Sequence, residues 1–163
     1  MTIEIWSDYQ CPACATLATS VEPRLVADYV EDGRVRLVYR DFAFLGQEST
    51  DAAVGARCAA RENRYWQFHD WLFANQGDEN RGAFSPARLE MVAQSAGLNL
   101  EAYRACRSDA QVRAEVAAET QRGQQLGVTS TPTLLVGDQP VVGVPLYEAL
   151  AEMLDEMLEA ASP

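Results

Sequence analysis

The stretch WSDYQCPACATLA, Trp6 to Ala18, sets two cysteines three positions apart where an extended apolar run gives way to a helical one. Taken alone, Cys11 and Cys14 have three readings. They are half of a metal site, two unrelated buried thiols, or a pair that opens and closes a disulfide. The surrounding sequence has to choose among them.

Upstream, TIEIWSD alternates Ile3 and Ile5 with Glu4 and is rich in β-branched residues, the pattern of a strand. From Pro12 onward Leu17, Val21, Leu25, Val26 and Tyr29 recur near a helical period, with Gly33 as the stop. Pro23 falls inside this run and predicts a kink or break there. RVRLVYRDF then alternates Val35, Leu37 and Tyr39 against arginines, which predicts a second strand. A strand, a helix and a strand make a βαβ unit, which favours a parallel pair with a right-handed crossover.

The character then changes. From Ser49 to Gln76 the chain is alanine-rich and then aromatic, and Ser49, Thr50 and Asp51 are all candidate N-caps. GDENRGAFS reads as a loop, and Ser85-Pro86 opens another helix. Two more helices follow, with Asn99 and either Ser108 or Asp109 as caps. TPTLLVGDQPVVGV then returns to strand character around Gly137-Asp138, as a hairpin does. A last amphipathic helix carries Leu146, Leu150, Met153, Leu154 and Met157 on one face. The order predicts a sheet protein interrupted by an all-helical block. Its boundaries fall at 1–46 for the first part of the sheet domain, 47–127 for the insertion and 128–163 for the second part.

Composition removes several functions. At 163 residues, 48% hydrophobic and 23% charged, the chain is an ordinary globular one. Its net charge of −11 argues against nucleic acid or an anionic membrane surface as partner. All 13 basic residues are arginine, which excludes a catalytic lysine, a Schiff base and a phosphate-loop lysine. The longest apolar run is too short for a membrane span. The start at Met1 shows neither a basic nor an apolar leader region. That fits a cytoplasmic protein if Met1 is native, and an extracytoplasmic one, periplasmic or at the cell surface, if the chain is trimmed to its mature part.

The chemistry centres on Cys11. A cysteine at a strand-to-helix junction faces unpaired backbone N–H groups and the positive end of the helix dipole. Such thiols have pKa values lowered to roughly 3.5–7.5. Pro12 suits the first helical turn, and Cys14 lies near enough on the helix surface to attack a mixed disulfide at Cys11. A closed zinc site needs a second short-spaced pair of ligands. Cys58 and Cys106 stand 48 residues apart instead, so no metal site is expected. His69, the one histidine, lies on an aromatic helix with Tyr65, Trp66, Phe68 and Trp71, which reads as packing before catalysis. Trp66, Trp71 and Phe73 are expected in the core of the helical block. Trp6, Tyr9 and Phe42 are candidates for an apolar peptide surface beside the thiols.

GVTSTPTLLVG supplies the second constellation. Thr131-Pro132 precedes a strand, and X-Pro bonds are the ones that adopt cis at modest cost. The alternative is an ordinary proline at the first residue of a strand. Taken together, SDYQCPAC after a strand, TSTPTLLVG about 120 residues later and CAARENRYWQFHDWLFANQ between them resemble the DsbA-like thiol-disulfide oxidoreductases of the thioredoxin superfamily.

The resemblance spans essentially the whole chain. It implies an α/β thioredoxin fold with an inserted helical subdomain, Cys11 as attacking cysteine and Cys14 as its partner. Thr131-Pro132 is then the cis-proline loop, and Pro12, Ala13, Thr131 and Pro132 meet the substrate. It further implies cysteine-containing proteins as substrates, a redox partner that resets the thiols, no cofactor, and a structural disulfide between Cys58 and Cys106 as an alternative to two buried free thiols. Many relatives have histidine between the cysteines where this chain has Pro12-Ala13. Many also bury an acid at the position of Ile5, with Glu4 here one residue away. The function implied is donation of disulfides, with a reductase or isomerase of the same fold, or a non-catalytic peptide-binding holdase, as the alternatives.

Overall fold

The computed structural model describes residues 1–161. Strand β1 (Thr2–Ser7) sends Ile3 and Ile5 to one face, where neither has exposed surface, and Glu4 and Trp6 to the other. Helix α1 (Pro12–Thr16) starts directly after it, with Cys11 at the N-cap in extended conformation and Pro12 in the first turn.

The break expected at Pro23 is not there. The backbone stays helical through residues 12–30, with a π-helical turn at Leu17–Val21 before α2 (Glu22–Leu25) and a second at Val26–Val30 after it. Proline lacks an N–H and crowds the carbonyl one turn back. The wider turn ahead of Pro23 absorbs that mismatch and lets the helix continue. Leu17, Val21, Leu25 and Tyr29 face the core as the periodicity predicts, while Val26 is turned to the surface.

β2 (Arg36–Asp41) pairs parallel to β1, with Ile5 opposite Tyr39. β3 (Thr133–Val136) runs antiparallel to β1 on its other side and forms the expected hairpin with β4 (Gln139–Val142), giving the order β2-β1-β3-β4. Gly137, in the hairpin turn, has φ of 59°, a conformation glycine adopts without a side-chain clash. Pro140 sits on edge strand β4, where a missing N–H is tolerated.

Between β2 and β3 lie α3 (Gln47–Arg61), α4 (Tyr65–Ala74), α5 (Pro86–Ser95), α6 (Leu100–Arg107) and α7 (Ala110–Gln125). Asn99 and Asp109 cap α6 and α7 through their side chains. The start of α3 departs from the reading: the helix opens at Gln47 after Gly46, which places Ser49, Thr50 and Asp51 inside it. α8 (Tyr147–Ala160) buries Tyr147, Leu150 and Leu154 against the sheet domain, whereas Leu146, expected on its apolar face, precedes the helix and is 78% exposed. The aromatic helix also differs. α4 buries Phe68, Leu72 and Phe73, but Trp66 and Trp71 are 42% and 43% exposed.

Helix α7 covers the sheet face that carries Trp6. A Cβ at Gly123 would lie 2.7 Å from both Phe42 and Trp6, so this approach requires glycine. One turn earlier along the helix Glu119 joins an ion network. Arg40 binds Glu4 at 2.5 Å and Glu119 at 3.2 Å, and Arg57 binds Asp41 at 2.6 Å and Glu119 at 2.5 Å. Burial raises the Asp41 carboxyl to about 7 against the lowering pull of Arg57. The network ties α3 and α7 to the end of β2.

Candidate active site

The loop between β1 and α1 is held by side chains that arrive from the helical block. Asp8, fully buried, accepts from the backbone N–H of Gln10 at 2.8 Å, of Phe44 at 2.9 Å and of Leu45 at 3.1 Å, and from the Ser49 hydroxyl at 2.6 Å. Gln10 donates to Ser49 Oγ and accepts from the Asn80 backbone at 2.7 Å. Gln76, just beyond α4, donates to the carbonyls of Tyr9 and Cys11 at 2.7 and 3.0 Å. The loop that presents the first cysteine is thus fixed from several sides, which pre-organises it for attack. None of Asp8, Gln10, Gln76 or Asn80 was singled out from sequence, and Ser49 was read only as a candidate helix cap. Only Asp8, two residues before a backbone N–H it captures, left a local signal, that of an Asx turn.

On this support the structure brings together the two constellations that the sequence separates. The Thr131–Pro132 peptide bond is cis, and the Cys11 thiol donates to the Thr131 carbonyl at 3.4 Å. Pro12 is exposed and Ala13 half-buried beside it. Cys11 and Cys14 are free thiols, and their environments push them apart. Hydrogen bonding from Cys14, then from Thr131 and the backbone N–H groups of Cys14 and Ala13, outweighs burial and lowers Cys11 to about 6. Cys14 is raised, by burial first and by Cys11 second, with Ser7 and the Asp8 N–H opposing. Cys11, at 8% exposure, is held as a thiolate near neutral pH, while Cys14, at 1%, is an inner thiol.

Behind the thiols lies a polar aromatic cluster. Tyr9 stacks on Tyr39 at 5.2 Å, and its hydroxyl is 3.1 Å from that of Tyr65 and 3.4 Å from His69 Nδ1. His69 Nε2 lies 3.3 Å from Glu22 Oε2, outside the alignment of a hydrogen bond. Trp6, Tyr9 and Phe42 are all buried, so they form no peptide surface; Trp6 and Phe42 pack under α7 with Val128. Glu4 is no stand-in for an acid at position 5 either. It points to the α7 face and is bound by Arg40, while Ile5 faces the cluster beneath α1.

Cys58 on α3 and Cys106 on α6 are joined by a disulfide, with sulfurs 2.02 Å apart and Cα atoms 5.8 Å apart. Among the described residues no group of three or more His, Cys, Asp or Glu side chains is placed to hold a metal ion. No helix among them is long and apolar enough to cross a membrane.

A low-pKa cysteine opening a helix, its inner partner one turn on and a cis-proline loop against the first define a class, that of thiol-disulfide oxidoreductases built on a thioredoxin fold. The chain belongs to the thioredoxin family, whose profile matches residues 1–156. It is similar to disulfide bond formation protein D of Bacillus subtilis (strain 168), at 24% identity over 162 residues, covering 98% of this chain and 73% of that protein. The crystal structure of oxidised BdbD from Bacillus subtilis superposes with a TM-score of 0.89 at 24% identity, over 97% of this chain and 87% of that one. A thioredoxin-like oxidoreductase from Silicibacter pomeroyi DSS-3 reaches 31% identity and a TM-score of 0.82, over 98% and 87%.

Proposed function

We propose that this protein donates disulfides to cysteine-containing proteins through the Cys11–Cys14 pair. The observation that carries the reading is the asymmetry of the two thiols, with Cys11 lowered to about 6 and Cys14 raised. A stabilised thiolate favours the dithiol form, and a protein whose reduced form is favoured is a strong oxidant when its disulfide is closed. It also makes Cys11 a good leaving group.

In the donating direction a substrate thiolate attacks Cys11 Sγ. The bond to Cys14 breaks, Cys14 takes the electron pair, and a mixed disulfide links substrate to Cys11. A second substrate thiol, as its thiolate, then attacks the substrate sulfur of that bond, the substrate disulfide forms, and Cys11 leaves as thiolate. Two electrons now rest on the cysteine pair, and a redox partner removes them. No organic cofactor enters these steps.

Pro12, Ala13, Thr131 and Pro132 are the contact residues in this reading. The contact of the Thr131 carbonyl with Cys11 supports pairing of this backbone with an extended substrate segment. Gly143 donates to the Pro132 carbonyl at 2.8 Å, which sets the exposed Val142 and Val144 close to the cis-proline loop as an apolar border. The Cys58–Cys106 bridge supports work outside the reducing cytoplasm. In domain terms 1–46 and 128–163 supply the exchange centre, and 47–127 supplies the block that braces it.

Equilibration with glutathione buffers, read by mass-tagging the free thiols, tests this directly. A potential near roughly −120 mV is expected of a disulfide donor, and one near roughly −270 mV would make the protein a reductase. Absence of a reversible pair would remove the enzyme reading and leave a peptide-binding one.

A further inference from the structure

Strand β2 is one edge of the sheet, and only part of its outer side is taken. Its inner side faces β1, where the N–H of Arg36 donates to the Met1 carbonyl and that of Phe42, just past the strand, to the Ser7 carbonyl. Alternation along the strand turns the backbone groups of Val35, Leu37, Tyr39 and Asp41 outward. At one end the Val35 N–H donates to the Tyr29 carbonyl at 2.9 Å. At the other, the Asp41 N–H donates to Glu119 at 3.0 Å and the Asp41 carbonyl accepts from Thr120 at 3.4 Å. Between these ends the N–H and C=O groups of Leu37 and Tyr39 have no partner among the described residues. Unpaired backbone groups at a sheet edge are a template for another strand.

A groove of about 500 Å³ opens beside this gap. Arg36 and Leu37 line it from β2, Glu22 and Pro23 from α2, and Trp66 and Asp70 from α4. Neither cysteine of the pair lines it, and neither does Thr131 or Pro132. Its walls are largely apolar, yet its two carboxylates lack partners. The Glu22 side chain is 8% exposed and accepts no hydrogen bond among the described residues; His69 Nε2, 3.3 Å away, is out of line with it. Asp70 makes no ion pair or hydrogen bond among them either. Burial, with Glu22 adding to it against the pull of His69, raises the Asp70 carboxyl. Arg36 shares the groove but pairs with neither acid. A buried carboxylate without a donor costs stability, which a cation entering the groove would recover. Trp66, 42% exposed, adds an aromatic face of the kind that attracts cations.

We propose that this groove takes an extended basic segment of a partner polypeptide, which adds as a short strand along Leu37 and Tyr39 and lays a lysine or arginine side chain against Glu22, Asp70 and Trp66. Residues in register on neighbouring strands share a face. A partner residue opposite Leu37 therefore lies on the side that Leu37 lines. Backbone pairing supplies affinity in such a contact, and the groove selects the side chain. The net charge of −11 favours the approach of a basic segment. A segment held here leaves Cys11 uncovered, so the groove is a second point of attachment, independent of the exchange reading above.

The test titrates the isotope-labelled protein with the capped peptide acetyl-Thr-Val-Lys-Val-Thr-amide and follows the backbone amides by NMR. The amides of Leu37 and Tyr39 are expected to shift and to gain protection from hydrogen exchange. Norleucine in place of the peptide lysine keeps the stem and removes the charge, and should weaken binding about tenfold. Glu22→Gln should weaken the lysine peptide by a similar factor and leave the norleucine peptide unchanged. Asp70→Asn, at an exposed position, carries the same comparison if Glu22→Gln does not fold. The peptide methylated at its backbone nitrogens keeps the lysine but cannot pair as a strand, and should bind at least about tenfold more weakly. Binding without a response at Leu37 and Tyr39, or no binding at all, would overturn the proposal. So would equal affinity for the lysine and norleucine peptides. Undiminished binding of the methylated peptide would overturn it as well, leaving a site for a free amine and not for a strand.

Discussion

The Cys11 sulfur and the Thr131 carbonyl oxygen, 120 residues apart in the chain, lie 3.4 Å from each other. Sheet pairing sets this distance. β1 runs beside β3 with Trp6 opposite Thr133, so the end of one strand and the start of the other reach the same edge. The helical block departs after β2 and returns before β3 without entering that contact.

The lowered Cys11 thiol sets a reactivity profile. Alkylation of the reduced protein by iodoacetamide should rise with a midpoint near pH 6, against 9.0 for an ordinary thiol, while Cys14 stays unreactive in the folded state. Cys11→Ser should abolish exchange, and Cys14→Ser should leave mixed disulfides that never close. A midpoint near 9 would remove the basis for a strong oxidant.

The same thiol couples pH to stability. Its folded value lies below the unfolded one, so its contribution is fully present above pH 9 and is lost as pH falls through about 6. The stability of the reduced protein relative to a Cys11→Ala variant should therefore grow between pH 6 and 9. Urea melts at the two ends of that window measure it.

Asp41 works in the opposite sense. Its carboxyl is raised from 3.8 to about 7, so the stability it contributes is full below 3.8 and is lost as pH rises through about 7. An Asp41→Asn variant lacks this decline, and its gap to wild type should narrow from pH 4 to pH 8. Arg57→Met, which leaves Asp41 and Glu119 without their shared cation, should cost about 3 kcal/mol at neutral pH. The cost should be smaller at pH 5, where Asp41 holds its proton.

Removing the Cys58–Cys106 bridge with a double alanine substitution opens a loop of 48 residues. Loss of that cross-link should lower stability by about 2–4 kcal/mol. Glutathione exchange at Cys11 should remain within about twofold of wild type, because distant sites contribute independently. A large loss of exchange would mean that the insertion does more than brace the loop.

Asp8→Asn tests how the first cysteine is presented. The new amide would turn a donor toward N–H groups that now meet an acceptor, at a cost of about 1–3 kcal/mol for each group left unpaired. Exchange should fall with stability, and amide protection should drop first at Gln10, Phe44 and Leu45.

Much of the fold was legible because it rests on local pattern. The alternation in β1 and β2, the helical period after Pro12 and the Gly137-Asp138 turn each write themselves into a few adjacent residues. The cysteine pair at the strand-to-helix junction was legible for the same reason. The supports of the loop were not. Gln10 meets Ser49 and Asn80 from 39 and 70 residues away, and a hydrogen bond at that separation leaves no period to read. Aromatic side chains misled in both directions. Trp66 and Trp71 lie on the outer flank of a helix whose inner face is filled by Phe68 and Leu72, and Trp6 is roofed by α7 at Gly123, far along the chain. Pro23 showed a third limit, since a π-helical turn accommodates a proline that in sequence reads as a kink or break.

The bond between Cys58 and Cys106 has a consequence for how the molecule comes into being. Its formation releases two electrons that an acceptor has to take. A newly made chain is therefore a client of thiol oxidation before it is an agent of it. Its own maturation calls on an oxidant already at work, whether an older copy of the same protein or something else. The supply of finished molecules is thus tied to the chemistry they sustain.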